Sequence, residues 1–281
     1  MTILIISIQN PMIKVSFISP TSLVGQYGNQ GDFHLALAHL IDSIDQPPNQ
    51  YEQALIDSKL PIYLDNGLFE NHQSVPVDQL IAKAAHLNAV YVFAPDVLYD
   101  RVQTEKNIGT AHEILTAIKQ DIPQCQTKLA AVVQANNPND YVDSYLKMAQ
   151  DDRIDLIGLS ILSIPKSFQS LTETDDIAAN RIRCLRALES LPIKKDSHLL
   201  GLGSSYRDVD FAREHCPWVV SHDSSSAIWN GIWHKNIDSL TFDVYGGKIE
   251  VPVDFDFDRP LTNEQNKIIQ HNIDVVKKIV K

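Results

Sequence analysis

Apolar residues along this chain fall into short runs of strand type that recur between longer stretches of helical period. The strand-like runs are IKVSFIS (13–19), LPIYLD (60–65), AVYVFAPD (89–96), LAAVVQA (129–135), IDLIGLSI (154–161), HLLGLG (198–203), WVVSHD (218–223) and LTFDVY (240–245). Most end on a polar residue or a glycine, as expected when buried strands deliver chemistry to the loops beyond them. Between them lie the helix-like segments 77–87, 104–120, 140–150, 178–190 and 206–215, with Asn139 and Ser205 standing where two N-caps belong.

About eight strands alternating with helices predict an α/β fold, a (β/α)8 barrel of the TIM type, with its functional residues just after the C-terminal strand ends. We place one barrel domain at 12–281 and read residues 1–11 as an extension outside it. The tail from Asp254 reads as an acidic turn followed by an amphipathic helix packed on the barrel's outside. An open doubly wound sheet is the alternative. Its dinucleotide signature is incomplete, because GLGSS (201–205) lacks the third glycine, and the expectation is that no cofactor is bound.

Composition narrows the setting. At 281 residues and 44% hydrophobic, the chain can bury a large core without crosslinks. Cys125, Cys184 and Cys216 are odd in number and far apart, which fits a reducing cytoplasm and gives no metal-binding cysteine pattern. The run MTILIISIQNP is too short to span a bilayer, so no membrane partner is expected. A net charge of −11 argues against broad adhesion to nucleic acid, although Lys166, Arg181, Arg183, Lys194 and Lys195 offer a local basic path. Oligomeric state is left open, a homodimer included.

Strand ends bring candidate chemistry to one rim: Asp65 in LDNG, Asp96 in FAPD, Gln134 in VVQAN, Gly158 in LIGLS and Asp223 in VVSHD. Each has an ordinary reading as well. Asp223 before three serines can be a loop acid or helix cap, Asp65 before Asn66 and Gly67 a turn residue, and Gly158 a packing glycine. His34 and His39 in DFHLALAHL have a helical spacing that metals use, but no HExxH surrounds them, and no metal site is assigned. His222, next to Asp223 in an extended run, should point to the opposite face. The loop QYGNQGD (26–32) is a candidate border of the pocket.

The ordered set resembles the tRNA-guanine transglycosylase superfamily. LDNGLFE is similar to that family's Asp-Ser-Gly-Gly-Phe-Gln motif, keeping Asp65, Gly67 and Phe69 but carrying Leu68 and Glu70 in place of glycine and glutamine. Asp96 resembles its later strand-end acid, Val133-Gln134-Ala135 its Val-Gln-Gly, and Ile157-Gly158-Leu159 its Gly-Gly-Leu. The stretch 199–223 is similar to its strand, Gly-x-Gly, helix and strand leading to the nucleophilic Asp, with Asn230 and Gly231 echoing its Asn-Gly. The likeness covers roughly Leu60 to Gly231.

The resemblance implies a base-exchange transferase with Asp223 as nucleophile and Asp65 as general acid and base. It implies a substrate-binding set of Asp96, Gln134, Gly158, Leu159, Gly67 and Phe69, with Phe69 or Tyr99 stacking on the base. No cysteine follows Cys216, so the family's zinc segment is absent, as are the arginines near its Asn-Gly. A zinc-free chain looks more like the DNA-guanine transglycosylases of phage and bacterial DNA-modification systems. DNA and a 7-deazaguanine base are therefore the expected partners. The alternatives are tRNA as substrate, or a non-catalytic nucleic-acid-binding barrel.

Overall fold

Buried strands with apolar side chains on both faces need neighbours on both faces, and a closed parallel sheet wrapped in helices supplies them. The computed structural model describes residues 12–42, 44–169, 176–203, 205–244 and 260–281. The strands are β1 (Lys14–Phe17), β2 (His34–Leu37), β3 (Ile62–Asp65), β4 (Tyr91–Phe93), β5 (Lys128–Val132), β6 (Leu156–Ser160), β7 (Ser197–Leu200) and β8 (Val219–Ser224). They form one parallel sheet in the order β1-β8-β7-β6-β5-β4-β3-β2. The helices are α1 (Gln50–Ser58), α2 (Leu68–Asn71), α3 (Val77–His86), α4 (Arg101–Asp121), α5 (Pro138–Gln150), α6 (Ser163–Phe168), α7 (Ile177–Glu189), α8 (Arg207–His215), α9 (Ser226–Ile232) and α10 (Asn263–Ile279).

The barrel is nearly closed. Between β1 and β2 the strand ladder gives way to side chains and a single crossing bond: Leu35 N donates to Ser16 Oγ at 2.8 Å, Val15 N donates to Asp32 Oδ2 at 2.9 Å, and Asp32 N donates to Val15 O at 2.7 Å. Phe33, Leu35, Tyr63, Phe93, Ala130, Val132 and Leu156 fill the interior. A separate, larger cluster lies between the strands and the helices.

Two elements differ from expectation. The eighth strand is β2, whereas 240–244, the described part of the expected strand 240–245, is not in the barrel sheet. In that region Ile237 bridges Val244 and Ser205 bridges Asp243, both antiparallel. Asp238 Oδ1 accepts from Leu240 N and Thr241 N, and Phe242 takes φ 61°, so the chain turns where a strand would have to run straight. Strand β2 is buried at all four positions and therefore shows no alternation for periodicity to detect. His34 accordingly sits on a strand with its Nε2 at 2.8 Å from Ser58 Oγ, and His39 lies in the 3-10 turn Ala38–Leu40, so the helical pair is not formed.

Caps differ in detail. Asn137, not Asn139, caps α5, accepting from Asp140 N, and Pro138 occupies the first turn where a missing N–H costs nothing. Ser205 Oγ accepts from Arg207 N at 3.2 Å at the start of α8, close to its expected role.

Helix α10 packs outside the barrel, as its amphipathic pattern predicts. Its Ile269, Ile273, Val276 and Ile279 are buried, each worth about 1.5–3 kcal/mol of transfer free energy. Thr262 and Gln265 form a capping box, and Ile13 N donates to Val280 O at 3.0 Å, tying the helix end to the chain just before β1. The acidic turn at 254–258 and the extension 1–11 lie outside the described residues.

At Gly231 the backbone of α9 lies directly against Ile269 of α10. A Cβ there would stand 2.4 Å from Ile269 Cγ1 and 2.8 Å from the Ile269 backbone. Gly231→Ala should therefore destabilise the protein by about 1–3 kcal/mol, read as a lowered midpoint in thermal or urea unfolding. An unchanged midpoint would show that the helices separate at no cost.

Among the described residues, no helix is long and apolar enough to cross a membrane.

Candidate active site

All strands run parallel, so residues at their C-terminal ends share one rim. Asp65 closes β3, Asp223 is the penultimate residue of β8, and Asp96 follows β4 by three positions. Together they line a cavity of about 690 Å³, within the range of small-molecule sites. Glu70, Asn66, Ser224, Ser226 and Asn230 add polar wall, and Leu35, Leu37, Leu68, Leu200 and Leu202 add apolar wall. His72 also lines it, and among the described residues no lysine or arginine does.

Asp223 is buried and anchored through one oxygen. His198 Nε2 and Asp223 Oδ1 are 2.8 Å apart, and Gly201 N donates to the same Oδ1 at 3.1 Å. Gly201 holds φ 68°, a conformation glycine adopts without strain, and a Cβ there would press on Ile161 at 2.9 Å. Behind this turn Arg181 donates to Leu200 O and Gly201 O, each at 2.9 Å, while pairing with Asp208 at 3.2 Å; both charged side chains are fully buried.

Asp65 accepts from Gly67 N at 2.9 Å. Burial pushes its carboxyl up to about 7, with the negative charges of Asp223 and Asp96 adding to the effect and the Gly67 N–H opposing it. Glu70, on α2, is raised to about 8 by burial and by Asp65. Among the described residues neither acid has a lysine or arginine on the cavity wall to hold it ionised, so protonated carboxyls are available there near neutral pH.

Asp96 is held from two sides. Asn66 Nδ2 donates to its Oδ1 at 2.7 Å, and Gln134 Nε2 donates to its Oδ2. Burial raises its carboxyl to about 6 against these hydrogen bonds. Each oxygen retains a lone pair, so Asp96 can still accept from a ligand donor.

The expected binding residues divide into those on the cavity wall and those behind it. Asp96 and Phe69 line it, and Phe69 is 43% exposed, open to stacking. Gly67 braces Asp65 through its N–H without joining the lining. Gln134 lies behind the wall: its Oε1 accepts from Tyr99 N at 3.0 Å and its amide orients Asp96, which leaves it no end for a ligand's carbonyl face. Gly158 sits beneath Leu200, whose Cδ1 would be 2.7 Å from an added Cβ, and Leu159 is buried in the cluster that faces the helices. Tyr99 likewise stands off the lining, its hydroxyl donating to Leu162 O at 3.3 Å.

Other expectations resolve similarly. His222 is fully buried away from the cavity, edge-on to Tyr206 at 6.0 Å, and burial lowers it to about 4. The loop 26–32 does not border the cavity; Tyr27 and Gln30 bond to Asn266 and Gln270 of α10. The local basic path is interrupted, because Arg181 is buried and Lys195 Nζ donates to Asp151 O and Ile154 O.

Three residues on or beside the site were not foreseen: Asn66 as the clamp on Asp96, Glu70 as a second protonated acid, and His198 as the partner of Asp223. Strand phase alone places His198 on the inner face, two residues before Leu200, but nothing in HLLGLG marks it as polar machinery.

The class is thus a TIM-type barrel with paired carboxyls at the C-terminal mouth, where barrel proteins carry catalytic groups. No protein-family model matches the chain, and no match is found among curated proteins.

Proposed function

We propose that this protein is a base-exchange transglycosylase that replaces guanine in DNA with a 7-deazaguanine derivative through a covalent aspartyl-glycosyl intermediate. The observation that carries the reading is that Asp65 and Asp223 open onto one cavity in different states of readiness. Asp223 is anchored by hydrogen bonds to one oxygen, and Asp65 is kept able to hold a proton near neutral pH.

In the first step Asp223 attacks the anomeric carbon, and the glycosidic bond breaks with its electron pair leaving on the guanine nitrogen, which takes a proton from Asp65. In the second step Asp65, now a carboxylate, removes the ring N–H proton of the incoming base. That nitrogen displaces Asp223 on the same face, giving overall retention as in double-displacement glycoside chemistry. Asp96 accepts from the donor edge of guanine, and Phe69 offers a face for stacking. A duplex hides the reacting carbon, so the nucleotide enters flipped or single-stranded. Among the described residues no lysine or arginine lines the cavity, which suits phosphates that stay outside it.

DNA is favoured over tRNA by the missing cysteine segment after Cys216. Labelled guanine incubated with the protein and either DNA or tRNA tests both halves of the reading. Label is expected to enter DNA. Incorporation only into tRNA would move the substrate, and binding of DNA without exchange would identify a non-catalytic barrel.

A further inference from the structure

We infer that His198 is a positioning residue for the nucleophile, selecting Oδ2 of Asp223 as the attacking oxygen and stabilising the carboxylate when it leaves. The inference rests on the transglycosylase reading above and concerns how Asp223 performs it.

The observation is an asymmetry. Both hydrogen bonds to the Asp223 carboxylate, from His198 Nε2 at 2.8 Å and Gly201 N at 3.1 Å, fall on Oδ1. Among the described residues none bonds to Oδ2, and Asp223 is on the cavity wall. An ionised carboxylate only accepts, so His198 Nε2 carries the proton in this contact. The other ring nitrogen, Nδ1, lies 2.8 Å from Ser221 Oγ, and in a neutral ring it accepts from that hydroxyl, which fixes the tautomer.

The ring cannot swing away. Phe33, Tyr63 and Phe93 surround it with centroids at 5.9, 6.2 and 5.6 Å, inside the barrel where His198 has no exposed surface. A histidine among three aromatic rings is a polar group placed at a desolvation cost, and it is tolerated because both nitrogens are bonded.

The consequence for the two steps follows from bonding. When Oδ2 bonds to the anomeric carbon, Oδ1 becomes the ester carbonyl oxygen and remains under its two donors. When the incoming base displaces Asp223, the C–Oδ2 electron pair returns to the carboxylate, and the donors at Oδ1 stabilise the charge as it reappears. His198 should therefore matter most for breakdown of the intermediate. Arg181, through Leu200 O and Gly201 O, holds the second donor in place from behind.

The test compares wild type, His198→Phe, His198→Gln and Ser221→Ala, each with DNA and labelled guanine. Phenylalanine suits the aromatic cage and removes the donor, whereas glutamine offers an N–H. For His198→Phe we expect kcat lower by roughly 10- to 100-fold with KM for DNA within about 2-fold, and a trapped adduct that decays more slowly on a guanine chase. His198→Gln should restore much of the decay rate. Ser221→Ala, which leaves the ring and its cage intact, should slow decay by a smaller factor and serves if His198→Phe does not fold. Wild-type decay rates in His198→Phe, or in Ser221→Ala should the former not fold, overturn the inference. Absence of exchange and adduct in wild type would instead overturn the function itself.

Discussion

Asp223→Asn should abolish the trapped covalent adduct and lower guanine exchange by on the order of 10³-fold or more, while leaving the protein folded. The substitution is close to isosteric. The Asn oxygen can accept from both His198 and Gly201, which bond the same Oδ1 in the native protein, and the amide nitrogen is left facing the cavity without nucleophilic power. Mass analysis of denatured protein after incubation with DNA provides the readout. A sugar adduct persisting on the variant, or exchange at the wild-type rate, would remove Asp223 from the mechanism. A second effect follows from the same charge. Because Asp223 helps to raise the Asp65 carboxyl, its neutralisation should lower the Asp65 titration midpoint, which NMR titration can follow.

Asp65→Asn should cost on the order of 10²- to 10⁴-fold in exchange, since it removes the proton donor and acceptor of both steps. The native pH profile should fall as pH rises through about 7, where Asp65 loses the proton needed by departing guanine. The groups around it act in the same sense: Glu70 from α2, and Asp223 and Asp96 from strand ends, are all acids. Stability should fall with rising pH in the same range as activity. The folded carboxyl titrates at about 7 against an ordinary value of 3.8, so its contribution is fully present below the ordinary value and is lost as pH rises through about 7. Asp65→Asn removes that loss. The stability difference between variant and wild type should shift in the variant's favour by about 1–3 kcal/mol between pH 5 and pH 8. Thermal melts at the two pH values decide this; a shift against the variant would show that Asp65 is held ionised at a profit.

The barrel was legible because most strands end on a recognisable polar or glycine signal and most helices carry a clear apolar face. β2 was hidden for the reason that made it a good strand: HLAL is buried on both sides, so it reads equally well as part of a helix. LTFDVY was misleading because β-type composition says nothing of the Asp238 turn that bends it. At the site, the acids Asp65, Asp96 and Asp223 were visible as strand-end residues, and the opposite-face placement of His222 followed from strand alternation. The roles of Gln134 and Gly158 as supports behind the wall were not visible, since a sequence shows which residues are near a strand end but not how deep they sit. His198 was the hardest to find. Its importance comes from a partner 25 residues away on the adjacent strand, a contact set by sheet register rather than by any local pattern.

The β1–β2 seam gives the barrel a property that a complete ladder would not. Ser16, which spans that gap through its hydroxyl, is also in register with Asp223 on the neighbouring strand β8. The wall next to the proposed nucleophile is therefore fastened partly by a button rather than a zip. Its tightness is set in part by one hydroxyl and one carboxylate, so evolution can adjust the give of the barrel there by changing single side chains, without rebuilding a strand.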